Sequence, residues 1–314
     1  MSDKNRVKGI SFALIALFLV SLQPIVAIAR PKVIDFYIFA ALTCLIQAII
    51  FLPLVAIERK KIKSTIQIEP INSQNLASLL YGWKKNKKFL IYLGINFAIA
   101  QVLFFIAYQL AGAINGSLAQ QTTIVFALLF GFLINHEKIS KIQILFVFIL
   151  FFGLFLAITQ GSFNLLEFNL GVLIMIITAA LWLLAHTLTK PLFDRNEITP
   201  IQIVFIRNTL SGLILISTYF IFFPLENINL LFDPINLFFF ISMGLLYGFD
   251  VLFWYKSLNY LDVSKATIVV SPMPILVAFF AYIFLGEIFT IFHLIGTIII
   301  IISIVIIVRV KNIE

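Results

Sequence analysis

The sequence predicts an all-α integral membrane protein with ten transmembrane helices, arranged as two inverted repeats of five. Three observations support this fold class. The chain of 314 residues is 62% hydrophobic and only 11% charged, whereas soluble domains carry about 25% charged residues. Ten apolar segments approach or exceed the roughly 20 residues that a helix needs to cross a bilayer. The segment Gln120–Glu137 also has a partner later in the chain, Val270–Glu287.

These two partner segments are both apolar and aromatic, and each ends at a lone glutamate where a hydrophobic run stops. A further apolar segment follows each of them, over 142–158 and over 289–308. A repeat of this kind decides the fold before any other pattern. We therefore expect residues 1–160 to form the first five-helix repeat, with a cytoplasmic loop over 58–88, and residues 161–314 to form the second.

The apolar segments are predicted to be helices because a barrel would need ten-residue strands of alternating polarity, which the sequence lacks. Only helices and closed barrels satisfy the backbone polar groups within lipid. The first segment resembles a signal peptide, but its apolar run is longer than the usual h-region of about 7–15 residues. The ten predicted helices are Ile10–Ala29, Phe36–Ile57, Phe89–Leu110, Gly116–Ile134, Ile142–Ile158, Leu170–Leu188, Ile201–Phe223, Asn236–Ser257, Ala266–Leu285 and Phe289–Val308.

The basic residues predict the orientation. With the N-terminus inside, all but three of the 22 Lys and Arg residues fall at the inner ends of the helices. The exceptions are Arg30 and Lys32 in an outer loop and Arg207 within a helix. This bias predicts a multi-pass protein of the cell (inner or plasma) membrane with both termini in the cytoplasm. Since five is an odd number, the second repeat enters from the opposite face, which is a transporter architecture.

The loop over 58–88 contains Leu76, Leu79, Leu80 and Trp83 on one helical face, followed by four lysines. This pattern is typical of a short helix that lies on the anionic inner leaflet. A basic linker that obeys the positive-inside rule explains the same residues, so both interpretations stay open.

Several features of the chain are shared with one family. They are the two copies of five helices, the glutamates that end helices four and nine, Trp182, Pro200 followed by Arg207, and the glycines of helix ten. The sequence resembles the EamA family of the drug/metabolite transporter superfamily over nearly its whole length. The resemblance implies transport of a metabolite and leaves the cargo open. The first repeat departs more from the pattern, with Thr43 in the place of Arg207 and Asn135-His136-Glu137 in the place of Leu285-Gly286-Glu287.

Asp250 is the clearest candidate for binding substrate, because a carboxylate near a helix centre costs about 2.5–3.5 kcal/mol on insertion scales. Gln101 is its counterpart in the first repeat, which favours a cavity between the repeats over a purely structural ion pair. Tyr247 and Trp254 share the helical face of Asp250. Rings around a carboxylate suit an ammonium, although with 35 Phe in the chain the same stripe is explained by packing.

Helices four and nine carry a second group of candidates. Pro272 and Pro274 interrupt helix nine and deprive the carbonyls of Ile268 and Val270 of their usual donors. These breaks are expected to form a cavity wall or gate, or else a packing kink. The other substrate-binding candidates are Ser271, Gln120, Gln121 and Tyr108, with Pro24 as a further helix break and Gln23, Gln109 and His186 as weaker candidates.

Four charged residues receive specific roles. Glu137 and Glu287 are predicted to be structural, each holding the first amides of the helix that follows it. Arg207 and Asp250 lie at similar depths, about 9 and 10 Å from the inner helix ends at 1.5 Å per residue. We therefore expect these two to interact, although Asp250 paired with substrate instead would favour a cationic amine as cargo.

We predict from these observations a secondary-type transporter that moves a small metabolite, such as an amino acid or an amine, by alternating access. The alternatives are a membrane-embedded enzyme acting on a lipid or small metabolite, and a passive channel. The sequence shows no nucleophile–base pair or acidic dyad for the first and no filter-like glycine run for the second. We expect no cofactor, no metal, no catalytic residue and no nucleic-acid partner. The expected partners are a small-molecule substrate and the lipid bilayer; a coupling proton or ion, and a monomeric or homodimeric state, stay open.

Overall fold

The structure is a computed structural model that describes residues 3–68, 73–135, 138–164 and 169–311. These residues form α-helices and one 3₁₀ helix, and they contain no strand. In chain order the α-helices are α1 (Asp3–Ala29), α2 (Phe36–Ile68), α3 (Ser73–Lys85), α4 (Lys87–Ala111), α5 (Ala113–Gln120), α6 (Thr123–Asn135), α7 (Lys141–Ile158), α8 (Leu170–Asp194), α9 (Pro200–Phe222), α10 (Pro234–Leu258), α11 (Val263–Val270), α12 (Met273–Leu285) and α13 (Ile291–Lys311). The 3₁₀ helix, Leu225–Phe232, precedes α10.

Ten stretches of the described residues are long and apolar enough to span a membrane. Eight of them are single helices, and two are interrupted pairs, α5 with α6 and α11 with α12. The ten predicted spans are therefore confirmed, and the protein is a multi-pass membrane protein. The predicted end of the second helix at Ile57 is wrong, because α2 continues to Ile68. The added residues are rich in Glu, Lys and Arg, which are strong helix formers, so the helix continues beyond the end of the apolar run.

Helix pairs join the two repeats in a symmetric pattern. The most extensive packing is of α2 on α9, α7 on α13, α1 on α10 and α4 on α8, and each pair takes one helix from each half of the chain. Exchanging the two halves converts the α1–α10 pair into the α8–α4 pair and leaves the other two pairs unchanged. This arrangement confirms the predicted fold class of two inverted five-helix repeats.

Three helix starts in the second repeat follow from local sequence signals. Thr199 and Asp233 cap α9 and α10 with their side-chain oxygens, and each is followed by a proline at the first helical position. Asn169 caps α8 in the same way. In the first repeat, Ser140 forms a capping box with Gln143 at the start of α7. These residues satisfy amides that a helix otherwise leaves without acceptors.

The predicted helix in the long loop is present as α3, which packs on α2 and α4. Its C-terminal end is held by Glu197, which lies between α8 and α9. The carboxylate of Glu197 accepts hydrogen bonds from Lys85 Nζ at 2.6 Å, Asn86 Nδ2 at 3.0 Å and Arg195 Nη2 at 3.0 Å. Bonds from Arg195 and Lys85 lower the pKa of Glu197 to about 2, so this carboxylate stays ionised throughout the physiological pH range. The bonds tie α3 to the second repeat; its place on a leaflet stays a prediction.

The α7–α13 contact depends on two glycines. A Cβ atom at Gly296 would lie 2.5 Å from the carbonyl oxygen of Gly153 and 2.6 Å from Cβ of Ala157. No real Cβ atom approaches a backbone atom so closely, so the helices would have to separate to admit a side chain. Small residues allow this close approach in membranes, where dispersion forces between helices replace the hydrophobic effect.

We therefore expect Gly296→Val to destabilise the protein by about 1–3 kcal/mol, the usual cost of overpacking a core. The midpoint of thermal unfolding in detergent measures the effect. Ile295→Val is the matched control, because Ile295 is on the same helix but is 41% exposed. Equal unfolding midpoints for the two variants would show that the α7–α13 interface accommodates the valine side chain without loss of stability.

Candidate functional site

A cavity of about 100 Å³ lies between the repeats and has room for several water molecules. Its wall takes residues from α1, α4, α5 and α6 of the first repeat and from α8 to α12 of the second. A site at the interface of two inverted repeats is where secondary transporters bind their substrates. We call this the central cavity.

The central cavity brings together many of the predicted substrate-binding residues. Those that line it are Gln120, Gln121, Arg207, Tyr247, Asp250 and Trp254. Three others do not line it: Gln101, Tyr108 and Ser271. Tyr108 is fully buried and donates its hydroxyl proton to Gln120 Oε1 at 2.8 Å, so it positions a lining residue. Gln101 is 1% exposed, and Ser271 donates its hydroxyl to the carbonyl of Ile268.

Asp250 is the acidic group of the cavity. Gln23 Nε2 donates to its Oδ2 at 2.9 Å, which joins α1 to α10. Sequence reasoning ranked Gln23 as a weak candidate only. The two residues are 227 positions apart, and no local pattern links them.

Arg207 is the basic group, and it is 1% exposed. Its guanidinium carbon lies 3.6 Å from the ring centroid of Phe97 and 5.8 Å from that of Tyr247. Its Nε donates to Oδ1 of Asn208 at 3.1 Å, and its Nη1 is buried with no hydrogen-bond partner. Stacking on a ring suits a planar, weakly hydrated cation such as guanidinium.

The predicted ion pair between Arg207 and Asp250 is wrong. The two side chains line the same cavity, but among the described residues they form no ion pair. Gln23 occupies one carboxylate oxygen, and the guanidinium is held flat against Phe97. The depth argument led us to expect the two groups near each other, and they line one cavity, but it could not give the rotation of each helix. Tyr247, expected to frame Asp250, also lies beside the guanidinium.

Four side chains of the cavity wall carry a buried polar atom without a partner. They are Nε1 of Trp182, Nδ1 of His186, Nη1 of Arg207 and Nε1 of Trp254. An indole N–H and a guanidinium can only donate. Such unsatisfied groups cost free energy. Three unsatisfied donors on residues that line one small cavity favour a ligand that has acceptor oxygens.

Sequence reasoning missed part of this wall. Phe97 is one of 35 phenylalanines, and nothing in the pattern separates it from the others. Trp182 was noted only as a shared feature of the family, and His186 only as a weak candidate. His186 lies against the rings of Phe97 and Trp254, with centroids 5.7 Å apart in each case. The signal that would have found Trp182 and His186 is their i, i+4 spacing on one helical face.

Two helix breaks border the cavity at equivalent positions of the repeats. α5 ends at Gln120 and α6 begins at Thr123, while α11 ends at Val270 and α12 begins at Met273. These four residues all line the cavity. The predicted interruption of helix nine is thus present, although Pro272, Pro274 and Pro24 do not line the cavity themselves.

The carbonyl of Ile268 lacks its usual donor, as expected, but it has other donors in its place. The backbone N–H and the hydroxyl of Ser271 both donate to its carbonyl, at 3.2 and 2.8 Å. Ser271 thus replaces the N–H donor that Pro272 lacks.

Glu287 has a different partner from the one predicted. Its carboxylate accepts from the amides of Ala113 at 2.8 Å and Ile114 at 3.0 Å, the first two residues of α5. It therefore holds a helix of the other repeat rather than the helix that follows it. Glu137, given the equivalent role, lies outside the described residues.

Comparisons with known proteins agree with this architecture. The family model described as "EamA-like transporter family" matches the chain twice, over residues 7–159 and 169–309. No curated protein matches the chain. A solved structure titled "Crystal structure of protein" is similar with a TM-score of 0.64 at 11% identity, over 99% of both chains. At that identity the likeness concerns the fold alone.

Proposed function

This chain belongs to the EamA-like transporter family, and from that premise we propose that it moves a small zwitterionic metabolite, of the amino-acid class, across the cell membrane. Family membership supports a transporter in general. The choice of a zwitterion comes from the chemistry of the central cavity.

The observation that carries the proposal is the pair of opposite charges in the central cavity that do not neutralise each other directly. Arg207 has an unpartnered N–H, and the indole N–H groups of Trp182 and Trp254 are also free to donate. Asp250 lines the same space and uses Oδ2 for Gln23. A ligand with one carboxylate and one ammonium complements both groups at once.

We place the ligand carboxylate at Arg207 and the two indoles, and the ligand ammonium at Asp250. Hydrogen bonds between charged groups are about twice as strong as neutral ones. A zwitterion leaves no net charge in the hydrocarbon region, where a single uncompensated charge is expensive. The neighbouring rings supply an apolar wall for a side chain.

Transport is proposed to occur by alternating access of the two repeats around this cavity. The breaks between α5 and α6 and between α11 and α12 lie in the cavity wall. Interrupted helices are the elements at which inverted-repeat transporters bind substrate and change conformation.

The experiment is a thermal-shift screen of the twenty amino acids on the purified protein, followed by uptake of the best binder into proteoliposomes. A binder of the native state raises the unfolding temperature by mass action. Two matched ligands serve as controls. One is the amine that lacks the carboxylate of the best amino acid, and the other is the acid that lacks its ammonium. We expect the amino acid to stabilise the protein and both analogues to fail at the same concentration.

Other outcomes separate the alternatives. Equal stabilisation by the amine would make Asp250 a site for cations and refute the zwitterion. Recovery of a chemically altered compound from the vesicles would indicate an enzyme. Absence of binding and uptake for all twenty amino acids would refute the proposed substrate class.

Orientation is a separate prediction, with both termini and α3 in the cytoplasm. In a Cys44→Ser background, Lys84→Cys on α3 and Asn229→Cys in the 3₁₀ helix place single thiols at exposed positions of opposite membrane faces. An impermeant thiol reagent added to intact cells should label position 229 and not position 84, and both after lysis. Labelling of position 84 alone in intact cells would reverse the orientation.

A further inference from the structure

A second cavity, of about 490 Å³, lies away from the central cavity, between α2, α3, α4 and α9. It is formed by the C-terminal part of α2, the end of α3 and the first turns of α4 and α9. Its residue Ile91 is 54% exposed, so the space opens sideways on the surface of the bundle. We call this space the α3 groove.

The chemistry of the α3 groove changes along its length. Arg59 and Lys87 lie in its wall together with Trp83. Most of the remaining wall is apolar and belongs to α4 and α9, with Leu90 and Phe205 as examples. Basic side chains next to a tryptophan and an apolar channel match a lipid at the membrane interface.

Gln202 is a further polar group in the wall of the α3 groove. It is 1% exposed, and neither its Oε1 nor its Nε2 makes a hydrogen bond of normal geometry. The carboxylate of Glu58 lies within its reach. A polar ligand group in the groove would give this amide a second neighbour with which to bond.

Glu58 and Glu197, acidic residues of the neighbouring helix ends, form no ion pair with Arg59 or Lys87. Glu58 Oε2 accepts from the hydroxyl of Thr199 at 2.6 Å, and Glu197 is bonded to Lys85 and Arg195. Among the described residues, neither Arg59 nor Lys87 forms an ion pair. Arg59 donates through Nη2 to the carbonyl of Leu80 at 3.1 Å, which fixes its position without neutralising it. The groove therefore keeps two positive charges.

We propose that the α3 groove binds an anionic phospholipid from the leaflet at this end of the bundle. The phosphate lies at Arg59 and Lys87, a polar group of the glycerol region reaches Gln202, and an acyl chain lies along α4 and α9. Because α9 belongs to the second repeat and α4 to the first, the lipid contacts both repeats. The assignment of this lipid to the inner leaflet depends on the proposed orientation. The site itself does not depend on the proposed substrate.

The test uses phosphatidylglycerol with brominated acyl chains, which quench tryptophan fluorescence at short range. The protein in detergent micelles is titrated with this lipid and, separately, with brominated phosphatidylcholine. The Trp83→Phe variant is titrated in parallel, so that the difference isolates Trp83 from Trp182 and Trp254. We expect phosphatidylglycerol to quench Trp83 at a concentration at least about tenfold lower than phosphatidylcholine, given two basic contacts.

Variants with matched controls separate a site from general surface charge. Arg59→Gln with Lys87→Gln should remove the preference for phosphatidylglycerol. Lys60→Gln with Lys88→Gln, which neutralises the adjacent exposed lysines outside the groove, should retain it. Thr209→Phe, which fills the apolar part, should weaken binding of both lipids.

Two results would overturn the proposal. One is equal quenching by both lipids in the unaltered protein, which would mean an ordinary annular contact. The other is an equal loss in the two double variants, which would mean diffuse attraction to surface charge. Lys87→Gln alone covers the case in which Arg59→Gln prevents folding, since Lys87 is exposed.

Discussion

Replacing Arg207 by glutamine should lower the affinity for the transported amino acid roughly 100-fold, to the level of the matching amine. The guanidinium is the one fully charged donor in the wall of the central cavity, and its Nη1 has no partner within the described protein. Without it the ligand carboxylate would be buried against indole N–H groups alone. Arg207→Lys should recover little, because an ammonium lacks the planar fork and the ring stacking on Phe97.

Asp250→Asn should have the complementary effect. The variant is expected to bind the amino acid no better than the acid that lacks its ammonium, while the affinity for that acid stays unchanged. Titrating each variant with the amino acid, the amine and the acid completes a double-mutant cycle. The cycle gives the interaction free energy between each protein group and each charged group of the ligand. Lys256→Gln is the control, since it removes a charge from the same helix outside the cavity. If either variant lost affinity for all three ligands equally, the assignment of charges within the cavity would be wrong.

The second large effect is expected at Glu287. Its carboxylate accepts two backbone hydrogen bonds at the start of α5, and bonds to charged groups contribute about 1.5–3 kcal/mol each. Glu287→Ala would leave both amides without an acceptor, so we expect a loss of about 3 kcal/mol or more in stability. Glu287→Gln keeps one acceptor oxygen but no charge, so its stability should lie between that of the unaltered protein and that of Glu287→Ala.

Thermal unfolding in detergent measures this series. Glu226→Gln is the matched control, because Glu226 is exposed in the 3₁₀ helix. Gly112→Ala should also destabilise, because Gly112 has φ +79° and an added Cβ would lie 3.2 Å from Oε1 of Glu287. Equal unfolding midpoints for Glu287→Ala and Glu226→Gln would show that the hydrogen bonds from α5 to Glu287 do not contribute to stability.

The sequence by itself determined the ten spans, the two inverted repeats and the family. Hydropathy and repeat spacing are properties of contiguous residues, and lipid forces each apolar stretch into a helix. It also identified polar residues within apolar spans whose presence needs a reason, among them Asp250, Arg207 and Gln120. The helix break at Pro272 followed from the missing proline N–H alone.

The tertiary structure decided which of these groups meet. Gln23 as the partner of Asp250, Phe97 beneath Arg207 and Glu287 on the first amides of α5 are contacts between residues far apart in the chain. The sequence yields the depth of a residue from its place in a span, but the rotation of each helix is set by packing against several neighbours at once. For that reason Asp250 and Arg207 line one cavity but do not form the ion pair that their calculated depths led us to expect. The α3 groove exists for the same reason, since α2, α3, α4 and α9 form it only when they are packed together.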